Sequence, residues 1–248
     1  MTALDAVIFD WGGTLSVWAQ IDLEDMWRLA ARRIAPDREQ DVMDRLLAVE
    51  ARLWRRVEET QRSARLADVL AAASAELGLD VTEALLEEAA THHLDAWTPH
   101  ISHDPQAVPV IRELRDRGLR IGLLSNTLWP RDFHDRFLER DGLLGLFDAR
   151  LYTSHMEHTK PHPSAFLATL EALHVQDPRR AVFVGDRPFD DIYGAKRTGM
   201  RAVLRPNDAL PAGFTVIDRE PVQPDAVIHT LGELIPLIDA WMDGERPA

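Results

Sequence analysis

A short apolar segment near the start of the chain, residues 6–9, ends at Asp10 and is followed closely by Gly12 and Gly13. Segments rich in β-branched and aromatic residues are typical of buried parallel strands, and glycines after a strand allow a sharp turn that brings backbone close to a ligand. In open α/β sheets, ligands bind beyond the carboxyl ends of the strands. The pattern makes Asp10 a candidate nucleophile or metal ligand, although an aspartate beside glycines is also a common turn signal.

A long helical pattern interrupts the chain after this first strand. From about residue 21 to residue 97, apolar residues recur three or four apart, which predicts four helices, with Thr82 as an N-cap. Such a block between the first and second strands indicates an insertion at a strand–helix loop. We expect a helical cap over residues 18–103 that covers Asp10, and a core formed by residues 1–17 and 104–248.

Beyond Pro99 the chain alternates between strand and helix patterns. This alternation predicts an α/β fold with a largely parallel sheet. The expected strands are residues 120–125, 149–153, 181–185, 201–204 and 225–228. The expected helices are residues 106–117, 131–139, 163–173, 191–198 and 231–242. A proline-rich stretch, residues 206–224, is expected to form a surface connection.

Composition excludes several classes of partner and site. The chain has 28 basic and 41 acidic residues, a net charge of −13, which opposes both nucleic acid and an anionic membrane, so we expect neither as a partner. Because the chain has no cysteine, any metal must be held by oxygen or imidazole, which favours a hard cation. The first residues show neither a basic leader nor a long apolar stretch, and we expect a cytoplasmic protein.

Three later segments also carry polar residues where a predicted strand or loop meets the same edge of the sheet. Ser125 and Asn126 follow the second strand, and the serine hydroxyl can bond an anionic oxygen or form a turn. Lys160 is one of two lysines in the chain and offers either a point charge to a ligand or a solvated surface cation. Asp186 ends another strand, and Asp191 begins the next helix, where an acidic residue can also act as a cap.

In their order along the chain, four short motifs resemble those of the haloacid dehalogenase superfamily of hydrolases. Their sequences are Asp-x-x-Gly-Thr-Leu from Asp10, Ser-Asn-Thr from Ser125, Lys-Pro-x-Pro from Lys160 and Gly-Asp-x-x-x-x-Asp-Ile-x-Gly-Ala from Gly185. The resemblance spans nearly the whole chain. It implies a Rossmann-like core with a helical C1-type cap inserted after the first motif, which agrees with the rhythm of strands and helices.

The resemblance also implies a role for each motif. Asp10 would be the nucleophile and form a covalent aspartyl intermediate, while Ser125 and Lys160 would hold and neutralise the phosphoryl oxygens. Two carboxylates and several waters suit Mg²⁺, and phosphoryl transfer depends mainly on positioning and charge stabilisation. The expected metal-binding residues are Asp10, Asp186, the backbone carbonyl of Gly12, and Asp191 as a direct or water-mediated partner of the metal or of Lys160. The residues expected to contact substrate are Trp11, Gly13 and Asn126.

Gly12 departs from the family pattern. Phosphatases of this superfamily usually carry a second aspartate there, which protonates the leaving oxygen and later activates water. Losing a general acid or base typically costs ~10²–10⁴-fold in rate, so alkyl phosphate esters are expected to be poor substrates. The candidate replacements are His92, His93, His100, His103, Asp22, Glu24 and Asp25. Histidine has a suitable pKa, but each of these has an ordinary structural explanation, and we expect none to be the replacement.

We therefore expect a Mg²⁺-dependent hydrolase that acts on a small phosphorylated metabolite with a good leaving group, such as an acyl phosphate or a phosphoanhydride. A phosphonoacetaldehyde hydrolase would need a cap lysine, and residues 18–105 contain none. Two alternatives stay open, a catalytically silent binding or regulatory protein and a dehalogenase. Pocket-lining tryptophans are expected among Trp11, Trp18 and Trp27, although tryptophans in a helical bundle more often fill its core.

Overall fold

Six parallel strands form the central sheet of the described chain. The computed structural model describes residues 4–17, 21–209 and 222–244. The strands are Ala6–Phe9 (β1), Arg120–Ser125 (β2), Ala149–Tyr152 (β3), Ala181–Gly185 (β4), Arg201–Leu204 (β5) and Ala226–Val227 (β6). Their order is β3-β2-β1-β4-β5-β6, and every neighbouring pair is parallel. β1 therefore lies inside the sheet, between β2 and β4.

Nine α-helices accompany the strands in the described ranges. They are Leu23–Ile34 (α1), Glu39–Thr60 (α2), Leu66–Glu76 (α3), Glu83–Trp97 (α4), Ala107–Asp116 (α5), Arg131–Arg140 (α6), Pro163–Ala172 (α7), Gly194–Thr198 (α8) and Leu234–Asp243 (α9). None of these helices combines the length and the apolar character needed to cross a bilayer.

The apolar sequence of β1 follows from its position. All of its residues are buried. Val7 and Phe9 belong to a core shared with α5, α6 and α9, whereas Ala6 and Ile8 belong to a second core shared with α7 and α8. Because successive side chains of a strand point to opposite faces, a strand covered on both sides is apolar throughout. The predicted α/β fold, with its Rossmann-like parallel sheet, is confirmed.

The helices α1–α4, termed the helical block below, have a hydrophobic core of their own. Trp27, Met43 and Leu70 are fully buried in it. The Thr82 side chain accepts a hydrogen bond from the backbone N–H of Leu85 at 3.3 Å and so caps α4. The four predicted helices and this N-cap are confirmed.

Two segments connect the helical block to the sheet and run side by side. The backbone N–H of Val17 donates to the carbonyl of Ser102 at 2.9 Å. This pairing holds the end of the loop after β1 against the segment that returns to α5. It favours our proposal that residues 18–103 are a cap and that residues 1–17 and 104–248 are the core.

Most predicted element bounds agree with the structure. Strands β2, β4 and β5 are confirmed without change, while β3 and β6 are shorter than predicted. The helix predicted from residue 231 starts as a 3₁₀ turn, Leu231–Glu233, before α9. Of the predicted connection at residues 206–224, residues 210–221 lie outside the described residues.

The prediction of a helix over residues 191–198 is wrong for residues 191–193. Pro188–Tyr193 form a π-helical turn that precedes the short α8. The backbone N–H groups of Asp191 and Ile192 both donate to the carbonyl of Arg187, which widens the turn by one residue. Such π turns are frequent at functional sites, and this one carries an acidic residue of the candidate site.

Candidate active site

Three strand ends bring the sequence motifs to one edge of the sheet. Phe9, the last residue of β1, pairs in register with Leu123 of β2 and Val184 of β4. Because adjacent parallel strands end side by side, the residues that follow them lie close together. Asp10 and Asp186 therefore come from adjacent strands, and Ser125 ends β2 on the other side of β1.

Lys160 lies at the centre of this edge and is 2% exposed. Its Nζ donates to Asp10 Oδ1 at 2.6 Å and to Asp191 Oδ1 at 2.7 Å. Burial opposes the charged ammonium, but the two carboxylates outweigh burial and raise the pKa of Lys160. Burial is also the main cause that raises the pKa of Asp10, against the opposing effect of Lys160. The lysine therefore remains charged and fixes the orientation of both aspartates.

Asn126 holds the backbone of Lys160 from both sides. Its Nδ2 donates to the carbonyl of Lys160 at 3.0 Å, and its Oδ1 accepts from the backbone N–H of Lys160 at 2.9 Å. We expected Asn126 to contact substrate, and the structure shows that both polar atoms of its amide position the lysine. Direct contact between Asn126 and a substrate stays a prediction.

Asp186 has one paired and one unpaired carboxylate oxygen. Oδ2 accepts from Asn207 Nδ2 at 3.1 Å, whereas the buried Oδ1 has no hydrogen-bond partner among the described residues. Burial, followed by the charges of Asp10 and Asp191, raises the pKa of Asp186 to about 8. Sequence reasoning missed Asn207, although this residue follows β5 and so offered the same strand-end signal as the others. We term Asp10, Lys160, Asp186 and Asp191 the sheet-edge cluster.

The sheet-edge cluster fits a hard divalent cation. Asp10, Asp186 and Asp191 each offer a carboxylate oxygen, and these oxygens lie within 4.8 Å of one another. Oxygen donors suit Mg²⁺, and the unpaired oxygen of Asp186 supplies a buried ligand atom with no competing hydrogen bond in the described chain. Asp191 is engaged on both oxygens, by Lys160 and by the backbone N–H of Arg187. Asp191 and Gly12 as direct metal ligands stay predictions.

The two glycines after Asp10 differ in their surroundings. Gly13 has a φ of +79°, and a Cβ there would collide with the carboxylate of Asp186 and the amide of Asn207. Gly13 therefore lets the loop approach the sheet-edge cluster closely, and it packs on that cluster instead of lining the cavity described below. A Cβ added at Gly12 would meet no atom within 4 Å, so a side chain there has room.

Trp11 is held by a chain of hydrogen bonds. Its Nε1 donates to His103 Nε2 at 2.9 Å, and His103 Nδ1 lies 2.6 Å from Asp141 Oδ2. Because an indole can only donate, the proton of the neutral His103 ring must lie on Nδ1 and point to Asp141. Burial lowers the pKa of His103. Both nitrogens of this candidate acid–base residue are therefore used to hold Trp11.

The other candidates for the missing acid have varied surroundings. His93 is buried, its Nδ1 contacts the carbonyl of Met26 at 3.1 Å, and its Nε2 accepts from Trp97 Nε1 at 3.2 Å. Burial lowers the pKa of His93 to about 4, so the ring is neutral and structural. Asp22 caps α1. Exposed positions outside the cavity lining are occupied by His92, Glu24 and Asp25, whereas the exposed His100 and Asp22 line the cavity described below.

A cavity of about 1440 Å³ lies between the sheet edge and the helical block. Its polar lining includes Asp10, Gly12, Ser125, Asn126 and Lys160, as well as Arg187, which sequence reasoning missed. Its aromatic lining includes Trp11, Trp54, Trp97, Trp129 and Phe189. Of the tryptophans predicted to line a pocket, Trp11 does so, Trp27 fills the core of the helical block, and Trp18 lies outside the described residues.

Arg187 adds a second cation beside the sheet-edge cluster. Its Nη1 donates to Asp190 Oδ2 at 3.2 Å. Burial raises the pKa of Asp190 to about 6, and the charge of Arg187 opposes this effect. Both residues line the cavity, so its floor contains the Arg187–Asp190 ion pair beside the ion pairs of Lys160 with Asp10 and Asp191.

Comparison with known families and proteins agrees with this geometry. A family model described as haloacid dehalogenase-like hydrolase matches residues 4–199. A glyceraldehyde 3-phosphate phosphatase of Methanopyrus kandleri is 29% identical over 127 residues, which cover 51% of this chain and 53% of that protein. The chain thus spans about half the length of this curated relative.

Solved structures match over nearly the whole chain. A HAD phosphatase from Thermococcus onnurineus has a TM-score of 0.61 and 26% identity, covering 98% of this chain and 100% of that one. A 2-haloacid dehalogenase from Pseudomonas syringae has a TM-score of 0.69 and 25% identity, covering 96% of this chain and 99% of that one. Similar folds therefore occur in proteins named for phosphoryl and for halide chemistry.

Proposed function

This chain belongs to the haloacid dehalogenase-like hydrolase family, and on that premise we propose that it is a Mg²⁺-dependent phosphatase that acts through an aspartyl phosphate on Asp10. The proposed substrates are small phosphorylated metabolites with a good leaving group. The observation that carries the proposal is the buried Lys160 ammonium between Asp10 and Asp191, beside an oxygen of Asp186 that has no hydrogen-bond partner among the described residues. The phosphatase relative supports phosphoryl chemistry.

Each polar residue has a distinct task in this mechanism. Lys160 and the Thr14 hydroxyl bind the two oxygens of Asp10, at 2.6 and 3.2 Å, and so orient the carboxylate for attack on phosphorus. Lys160 also neutralises charge on the phosphoryl group, and the Ser125 hydroxyl at the end of β2 can donate to a phosphoryl oxygen. A Mg²⁺ ion held by Asp10 and Asp186 would offset the repulsion between the carboxylate and the phosphate.

The leaving group must depart without help from residue 12. Gly12 has no side chain that could protonate the leaving oxygen or later activate water, and such a group is typically worth ~10²–10⁴-fold in rate. The mechanism therefore favours acyl phosphates and phosphoanhydrides, whose leaving groups are stable as anions. Alkyl phosphate esters are expected to react slowly.

A dehalogenase is the second candidate, favoured by the similarity to the Pseudomonas syringae enzyme. Asp10 could attack carbon in place of phosphorus. The sheet-edge cluster counts against this alternative, since three carboxylates within reach of one point suit a bound divalent cation, and halide displacement by Asp10 requires no metal. A silent binding protein is the third reading, and the intact Asp10, Lys160 and Asp186 count against it.

The test is a screen of phosphorylated metabolites with Mg²⁺, run on the wild type, Asp10→Asn and Gly12→Asp. We expect phosphate release by the wild type from acetyl phosphate and none by Asp10→Asn. Release by Asp10→Asn at the wild-type rate would remove the covalent mechanism. Turnover by Gly12→Asp alone would identify the natural chain as a silenced member, and Mg²⁺-independent halide release from 2-chloropropionate would favour the dehalogenase.

A further inference from the structure

We propose that the substrate of this site is an aryl phosphate, in which the phosphoryl group is carried by the hydroxyl of an aromatic ring. The inference rests on the proposed phosphatase function and narrows its substrate class. Two independent features support it, the aromatic lining of the cavity beside Asp10 and the absence of a side chain at Gly12.

A continuous aromatic surface begins one residue after the nucleophile. The ring of Trp11 lies 6.2 Å from that of Trp129 at an interplanar angle of 72°, and Trp129 lies 4.9 Å from Trp97. Trp97 ends α4, so these three residues, termed the aromatic wall, join the sheet edge to the helical block. Edge-to-face packing of this kind is favourable for aromatic rings, and Trp97 and Trp129 are only partly buried.

The aromatic wall is fixed before any ligand arrives. The hydrogen bonds from Trp11 to His103 and from His103 to Asp141 hold the first ring. The hydrogen bond from Trp97 to His93 holds the last. A preformed apolar surface binds a rigid aromatic group with little loss of side-chain freedom.

Two further aromatic residues line the same cavity. Trp54 comes from α2 and Phe189 from the π-helical turn, where it stacks on Tyr193 at 5.1 Å. Trp54 and Trp97 are only partly buried, in contrast to Trp27, which is fully buried in the core of the helical block. The rings of Trp54 and Trp97 are thus partly exposed to the cavity, whereas Trp27 serves packing.

The cavity has room for a substrate larger than a three-carbon phosphate. Sites for small molecules usually enclose about 300–1,000 Å³, and this cavity has about 1440 Å³. A three-carbon phosphate would fill only a small part of it and would leave the tryptophans uncovered. An aromatic ring system attached to the phosphate would contact them.

The absence of a general acid at Gly12 also favours an aryl phosphate as substrate. A phenol has a pKa of about 10, far below the value of about 15.7 for water, which alkanols resemble. A phenolate can therefore leave without protonation by the protein. As Asp10 forms its bond to phosphorus, the bond from phosphorus to the aryl oxygen breaks, and the phenolate takes a proton from solvent. Water then hydrolyses the aspartyl phosphate to the carboxylate and inorganic phosphate.

Three phosphate compounds distinguish the effect of the aromatic ring from the effect of the leaving group. 1-Naphthyl phosphate has an aromatic body and a phenolic leaving group, 1-naphthylmethyl phosphate has the same body and an alkanol leaving group, and acetyl phosphate has a good leaving group without a ring. With Mg²⁺, we expect kcat/KM for 1-naphthyl phosphate to exceed that for 1-naphthylmethyl phosphate by ~100-fold or more. We expect Gly12→Asp to reduce this ratio by at least ~10-fold.

Variants of the cavity lining test recognition of the ring. We expect Trp54→Leu and Trp97→Leu each to raise KM for 1-naphthyl phosphate by about 10-fold, through loss of ring contacts, and to raise KM for acetyl phosphate, which has no ring, by a clearly smaller factor. Leu29→Ala, at an exposed position of α1 away from the cavity, is the matched control and should change neither value. Calorimetric binding of 1-naphthyl phosphate to Asp10→Asn gives a second measurement that does not depend on turnover.

The outcomes distinguish this inference from the proposed function. The aryl assignment would be overturned, and the phosphatase left intact, if Asp10-dependent hydrolysis of acetyl phosphate were found while 1-naphthyl phosphate bound no better than acetyl phosphate and reacted no faster than 1-naphthylmethyl phosphate. Equal KM increases for naphthyl and acetyl phosphates in the tryptophan variants would also overturn it. Phosphate release that is the same in wild type and Asp10→Asn for all three probes would overturn both.

Discussion

The sheet-edge cluster and the helical block use opposite kinds of residue for the same cavity. The sheet edge contributes buried charges that come from distant parts of the chain, since Lys160 is 150 residues from Asp10. The helical block contributes mainly apolar and aromatic surface, together with a core that packs among its own helices. This difference indicates that the sheet edge provides the chemistry and that the helical block governs what can be bound.

Removal of the central cation should have the largest effect. Lys160→Met leaves Asp10 and Asp191 buried without their shared ammonium, and we expect a loss of about 3–5 kcal/mol in the free energy of unfolding. Phosphate release from acetyl phosphate should fall by ~10²–10³-fold in the molecules that remain folded. Urea unfolding and a phosphate assay measure the two effects.

A second substitution separates charge from packing in this prediction. If uncompensated charge causes the instability, Lys160→Met combined with Asp191→Asn should recover part of the lost unfolding free energy without recovering activity. Equal instability of the single and double variants would show that the lysine acts through packing alone.

A substitution in the helical block should damage stability and leave the chemistry at the sheet edge intact. Trp27 is fully buried, and its Nε1 donates to Glu50 Oε2 at 2.8 Å. We expect Trp27→Ala to lower the unfolding free energy by about 3–5 kcal/mol, while acetyl phosphate turnover per folded molecule stays within about 3-fold of wild type. Leu29→Ala, on the exposed side of the same helix, should cost less than about 0.5 kcal/mol. A loss of turnover beyond ~100-fold in folded Trp27→Ala would contradict the division of roles.

A substitution at Asn207 tests whether this residue positions the Asp186 carboxylate for Mg²⁺ binding. Asn207 binds one oxygen of Asp186, whose other oxygen has no partner in the described part of the chain, so we expect Asn207→Ala to weaken Mg²⁺ binding by ~10–100-fold. The rise in melting temperature on titration with Mg²⁺ measures this affinity without an activity assay. Asp208→Asn, at the exposed neighbouring position, is the control, and an equal effect in both variants would assign the loss to general charge.

The smallest expected effect is on the way in which the unfolding free energy depends on pH, through His93 in the helical block. The folded-state pKa of His93 is lowered to about 4 by burial, below an unfolded value of about 6.5. Between these values the unfolded chain binds a proton that the folded chain does not, so stability falls as the pH falls from about 6.5 to about 4. The unfolding free energy of the wild type should be lower at pH 4.5 than at pH 7. We expect this decrease to be about 2 kcal/mol smaller in His93→Gln. Urea unfolding at both pH values tests this, and an unchanged difference would exclude His93 as its source.

Sequence patterns predicted the elements that depend on local periodicity. The apolar run of β1, the helical spacing of α1–α4 and the cap at Thr82 are confirmed because burial on one or both faces leaves a regular signature in the sequence. The π-helical turn that carries Asp191 left no such signature. There Asp191 accepts hydrogen bonds from the backbone N–H of Arg187 and from Lys160 Nζ, 31 residues earlier in the chain, and no local pattern specifies the contact with Lys160.

For the candidate site, too, the sequence predicted some features and the structure was needed for others. Motif spacing identified Asp10, Lys160, Asp186 and Asp191, and the structure brings all four together. The tasks of Asn126 and Asn207 required the distances, because each amide acts on a residue far away in the chain.

By itself, the sequence determined that strands would alternate with helices around a parallel sheet, and which side chains would follow the strand ends. These features follow from periodicity and from the turn chemistry of neighbouring residues. Only the tertiary structure decided that Trp11 is held by His103 and Asp141, and that tryptophans from the sheet edge and the helical block form one aromatic wall. These contacts join residues that are tens of positions apart, and no local pattern specifies the packing of one element against another.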